Sequence, residues 1–127
     1  MHNFGVEKYD VVRGREEVYL LIVDGESEFR TFCEIIDQDV NLRGELRTIL
    51  TRLEMVINGH MLRKTHFRPI DLGKIPVRGY ELKSHHLRVY VMHEEKTGKL
   101  IVTAGKKGSQ DRDIQRFKAI AKEYSRR

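Results

Sequence analysis

Three residue types that suit a nucleic-acid backbone sit close together in the second half of the chain: Lys83, Arg88 and Tyr90, with Lys106 and Lys107 after a further extended run. A guanidinium grips phosphate with a two-pronged fork, an ammonium adds point charge, and a tyrosine ring stacks on a base. If the segment around them is extended, Arg88 and Tyr90 share one strand face by alternation. The alternative for that face is a solvated surface with cross-strand charge pairs, such as Glu81 with a neighbouring Arg or Lys. His60, His66, His85, His86 and His93 are the acid/base candidates, since imidazole titrates near neutral pH; a turn-borne histidine is more often merely solvated. No two of them have the i, i+4 spacing of helical metal ligands, and adjacent His85 and His86 point to opposite faces of an extended segment. No metal and no cofactor is expected. Neither Arg13-Gly14-Arg15 nor Gly105-Lys106-Lys107-Gly108 matches a nucleotide-binding loop.

The frame that must position these groups is small. The chain has 127 residues, 39% hydrophobic and 34% charged, which predicts a single domain spanning 1–127 with one ordinary core. No apolar run approaches the ~20 residues of a membrane span, and the first residues lack the basic-then-apolar pattern of a signal peptide. A cytoplasmic location is expected, with no membrane partner. The single Cys33 excludes an internal disulfide framework and any Cys-x-x-Cys site. The net charge of +5 is unevenly spread: residues 1–59 carry 7 basic and 12 acidic groups, and residues 60–127 carry 17 and 7. One surface built from the second half therefore suits a polyanion or an acidic partner, the plainer alternative being solubilising charge.

The periodicities predict the elements. Residues 1–17 are polar and aperiodic, an extra strand or a loose arm. Val18 to Val23 is a short β-branched run ended by Asp24-Gly25, the pattern of a strand covered on both faces. Ser27 can cap a helix whose Phe29, Phe32, Cys33 and Ile36 form one stripe, which makes Cys33 a core thiol rather than a nucleophile. Asn41 can cap a second helix, with Leu42, Leu46, Ile49, Leu50, Leu53 and Ile57 inward and Asn58-Gly59 as the stop. Pro69, Gly73, Pro76 and Gly79 mark a turn-rich connection. Alternation then predicts strands over Tyr80–Ser84, Leu87–His93 and Lys99–Ala104, and a basic amphipathic helix from about Asp111. The result is an α+β domain of order β-α-α-β-β-β-α, a small antiparallel sheet with helices packed on one face and the other face open.

The succession Tyr80-Glu81-Leu82-Lys83, Leu87-Arg88-Val89-Tyr90-Val91, then Leu100 to Ala104 running into Lys106-Lys107 and a terminal amphipathic helix resembles the toxins of RelE/HigB-type toxin–antitoxin systems. The resemblance covers residues 60–127 in motif and the whole chain in element order. It implies a concave basic sheet face that acts in the ribosomal A site. The implied reaction is metal-independent cleavage of translated mRNA by attack of the RNA's own 2′-hydroxyl on the adjacent phosphate. Arg88 falls on the family's phosphate-stabilising arginine, and Lys106 and Lys107 on the cationic pair closing the last strand. Tyr80 and Lys83 would line the same face, with His85, His86, Tyr90 and Arg112 as further RNA contacts.

Such chemistry needs a base for the 2′-hydroxyl, cations around the phosphate and an acid for the leaving oxygen. Relatives place a His or Tyr acid/base just after the last strand, where this chain has Lys106-Lys107-Gly108-Ser109-Gln110. A lysine, His85, His86 or Tyr90 would have to serve. The resemblance also implies a cognate antitoxin, alongside the ribosome and mRNA, as partners. Two alternatives stand beside the nuclease: a ParE-type toxin that inhibits gyrase without nuclease activity, and a non-toxic nucleic-acid-binding module. Replacing Arg88 by Ala would separate the first two, and expression of the chain alone would isolate the third.

Overall fold

Val18–Val23 forms a strand whose side chains alternate between two apolar layers, Val18 and Leu20 on one side and Leu21 and Val23 on the other. The remaining elements arrange themselves around it. A computed structural model describes residues 2–127; Met1, the first residue of the 1–17 segment, lies outside the described residues. In chain order the elements are β1 (Phe4–Lys8), β2 (Val18–Val23), α1 (Glu28–Ile36), α2 (Val40–Ile57), β3 (Phe67–Ile70), β4 (Arg78–Lys83), β5 (Leu87–Glu94), β6 (Gly98–Lys106) and α3 (Gln110–Ser125), with a single 3₁₀ turn over Lys107–Ser109.

The α+β class is as expected, but the sheet is larger and mixed. Its six strands lie in the order β1-β2-β6-β5-β4-β3. All neighbours are antiparallel except β2 and β6, which run parallel because α1, α2 and three strands intervene between them. One strand settles an alternative the sequence left open, and one was not foreseen. Part of the polar segment 1–17 is the edge strand β1. Part of the turn-rich connection is β3, which tolerates Pro69 because it is the opposite edge and need not donate on its outer side.

Helix starts follow local chemistry. The Ser27 hydroxyl accepts from the Arg30 amide at the start of α1. The second helix is capped by Asp39 rather than by Asn41: the Asp39 carboxylate accepts from the amides of Asn41 and Leu42, so α2 starts at Val40. Gly59, at φ +87°, stops it.

The largest departure concerns the layers. α1 and α2 cover one face, where Phe29, Ile36, Ile49, Leu53 and Ile57 meet Leu20, Leu82, Val89, Val91 and Ile101. α3 covers the other, packing Phe117, Ile120, Ala121 and Tyr124 on Leu21, Tyr90, Met92, Leu100 and Val102. There is no open sheet face over β2, β5 and β6. Burying Phe117 alone contributes about 2–3 kcal/mol relative to leaving it exposed, which outweighs keeping a half-apolar strand face in water. Among the described residues no helix is long and apolar enough to cross a membrane.

Candidate nucleic-acid interface

Strand register gathers four strand ends at one end of the sheet. Lys83 lies opposite Arg88 and Leu87 opposite Lys106. The Lys83 amide donates to the His66 carbonyl just before β3, and the Lys107 amide to the His86 carbonyl, each at 2.8 Å. The β4–β5 turn, Ser84 to His86, therefore sits between His66 on one side and Lys106-Lys107 on the other. His85, His86, Lys106 and Lys107 are exposed there, with Lys83 and His66 half-buried. Burial, and after it the charges of Arg52 and Arg63, lowers the His66 imidazole below its ordinary value.

Two residues of α2 hold the turn. Glu45 and Arg52 are seven positions apart and so lie on one helical face. The Arg52 guanidinium donates to the Lys83 carbonyl. One Glu45 oxygen accepts from the Ser84 hydroxyl at 2.6 Å and the His86 amide at 2.7 Å, and the other meets His86 Nδ1 at 2.6 Å. Partial burial pushes the Glu45 carboxyl up, but the hydrogen bonds from Ser84 and His86 overcome it and bring it down to about 2. The carboxylate is thus ionised at any working pH, and it fixes the His86 ring. The His85 ring stands edge-on to it, centroids 4.2 Å apart.

The predicted site residues divide. Lys83, His85, His86, Lys106 and Lys107 come together at this end. Arg112 is exposed on the first turn of α3, beside Lys107 in a shallow recess of about 420 Å³. Tyr80 does not join them: it faces the α1/α2 layer, stacked on Phe67 with centroids 4.7 Å apart. Lys106 closes β6 rather than following it.

Arg88 and Tyr90 do share a face, but α3 buries it. Arg88 is only 7% exposed, and its Nη1 donates to the carbonyls of Ser84 and Leu87 at 2.6 and 2.8 Å. Tyr90 is fully buried against Phe117, centroids 5.5 Å apart, so it cannot stack on a base while α3 is docked. Burial and then the Glu81 carboxylate keep its phenol protonated. Arg88 Nε and the Tyr90 hydroxyl are buried without hydrogen-bond partners. The charge pair considered for this face is real: Glu81, fully buried, accepts from Arg68 Nε at 2.6 Å and from Gln110 Nε2 at 2.9 Å.

Glu45 and Arg52 were missed as site residues, and His66, an acid/base candidate by type, was not expected at this end. Their signal lay in tertiary register; the i, i+7 spacing on α2 showed only that Glu45 and Arg52 act on one side. Elsewhere, a cleft of about 590 Å³ between α1, β6 and α3 is lined by charges of both signs, with Glu28 committed to Thr103 and Arg116. Among the described residues no group of three or more His, Cys, Asp and Glu is placed to hold a metal. No family model, no curated protein and no solved structure matches the chain.

Proposed function

We propose that this chain is the toxin component of a toxin–antitoxin system, a RelE/HigB-like, ribosome-dependent endoribonuclease that cuts mRNA through the RNA 2′-hydroxyl. The observation that carries the reading is the convergence of Lys83, His85, His86, Lys106 and Lys107 on one end of the sheet. Ammonium groups there can neutralise the charge that grows on a phosphate under attack, and imidazoles beside them can move protons. The element order β-α-α-β-β-β-α, with β1 and β3 added, supports the fold kinship. The implied partners are the ribosome with its message, and an antitoxin with an acidic segment to cover the cationic end.

Arg88 has a different role in this reading: it braces the Ser84–Leu87 turn through two carbonyls and reaches phosphate only if α3 shifts. That burial favours a second reading, the ParE-type toxin that inhibits gyrase without cleaving RNA. The test is to add the purified chain to a translating cell-free extract and map new 5′ ends on a defined message, with Lys106→Ala/Lys107→Ala alongside. Codon-phased cuts from the wild type, lost in the double variant, are expected. An intact message with growth arrest on expression would replace the nuclease by the gyrase inhibitor; an intact message without arrest would leave a nucleic-acid-binding module.

A further inference from the structure

We propose that His86 is the general base of the centre at the sheet end and that Glu45 is its positioning residue, an inference that rests on the nuclease reading above. Glu45 uses both carboxylate oxygens on the turn, in three hydrogen bonds of 2.6–2.7 Å, and one of them is to His86 Nδ1. An ionised carboxylate can only accept, so Nδ1 must carry the hydrogen. In the neutral ring this leaves the lone pair on Nε2, on the far edge of the ring from Glu45. A carboxylate that holds an imidazole in this way supplies the tautomer and orientation a general base requires. His86 is the histidine of this end with that support, and its side chain remains more than half exposed, accessible to RNA.

The surroundings fit the other half of the reaction. The charged and titratable groups around this turn are Glu45 and Arg52 from α2, His85 in the turn itself, Arg88 on its carbonyls, Lys83 at the end of β4 beside Arg88, and Lys106 and Lys107 at the end of β6. His86 Nε2 takes the proton of the 2′-hydroxyl, O2′ forms its bond to phosphorus, and the P–O5′ bond breaks. The products are a 2′,3′-cyclic phosphate and a 5′-alkoxide, which takes a proton from solvent, while His86 returns its own. The lysines hold the extra negative charge on the phosphate between these events. No water is consumed and no metal is called for.

Two measurements on the full chain test this. Imidazole ¹⁵N shifts should show neutral His86 protonated on Nδ1, and Glu45→Gln should shift it towards the Nε2–H form. In the cell-free cleavage assay, His86→Ala should slow phased cutting about 100-fold or more and be partly restored by added imidazole. Glu45→Gln should cost roughly tenfold or more, with Glu45→Asp recovering part of it. Phased cutting by His86→Ala within about threefold of wild type would overturn the assignment while leaving the nuclease standing, as would an Nε2–H ring in the wild type. An intact message with the wild type itself would overturn the nuclease, and the base with it.

Discussion

Tyr80 and Lys83 lie three positions apart, so on a strand they point to opposite faces, and alternation alone sends Tyr80 away from Arg88. The structure follows that parity: Tyr80 joins Phe67 under α2 and Lys83 stays beside Arg88. Arg88 itself shows how a residue type can be right and its environment misjudged. A guanidinium at the mouth of a basic face invites a phosphate, yet here it serves two main-chain carbonyls. Arg88→Ala should therefore destabilise the fold by about 2–3 kcal/mol in urea unfolding, since it takes the guanidinium from the Ser84 carbonyl and leaves a void beneath α3, while the Leu87 carbonyl keeps the Ser84 amide. Unchanged stability would make Arg88 a free phosphate ligand once more. For the same reason loss of toxicity in that variant does not separate a nuclease from a gyrase inhibitor, and the exposed lysine pair is the better probe.

At the scale of elements, the β5–β6 hairpin depends on its turn. Gly98 has φ +114°, and a Cβ there would press on the Glu17 carbonyl, the oxygen that accepts from the Lys99 amide. Gly98→Ala should cost about 2–3 kcal/mol by chemical denaturation, combining backbone strain with a main-chain clash. The same corner ties the N-terminal segment down: buried Lys99 donates to Glu16 at 2.8 Å and to His93 Nδ1 at 2.9 Å. Burial and then the Lys99 cation lower the His93 imidazole below its ordinary 6.5, so the unfolded chain binds that proton more readily than the folded one. Stability should accordingly fall as pH drops from about 7 towards 5, and His93→Gln should flatten that limb in pH-dependent unfolding. An unaltered slope would show that His93 does not set it. β1 and β3, by contrast, carried little signal: five mostly exposed residues and a four-residue run containing proline become strands only because a neighbour offers them an edge.

Across the whole molecule, the charge asymmetry of the sequence becomes spatial. The basic second half supplies the sheet end with His66, Lys83, His85, His86, Lys106 and Lys107, and α2 from the acidic first half contributes the carboxylate that organises it. Binding of single-stranded RNA should weaken steeply with salt. Lys106→Ala/Lys107→Ala should lower the slope of log K against log salt by roughly 1.4, about 0.7 for each phosphate no longer neutralised. A slope unmoved by the double variant would place the polyanion elsewhere, on the Arg112 side of α3.

From the sequence by itself came the α+β class, the four inner strands, three amphipathic helices, the placing of Cys33 against the core, and the basic tail of the chain. These are local properties, written in hydrophobic period and turn chemistry, and they need no knowledge of what packs against what. The continuous apolar run of Val18–Val23 already read as a strand covered on both faces. What only the tertiary structure decided was which layer α3 joins. Its stripe of Phe117, Ile120, Ala121 and Tyr124 is equally suited to either face, and it settles where Tyr90, Met92 and Val102 offer apolar area that α1 and α2 leave uncovered. That choice buries Arg88 and Tyr90, while register and a helix face seven residues long bring Glu45 to His86. Both are long-range pairings whose free energy comes from surfaces distant in the chain, and no window of sequence contains both partners.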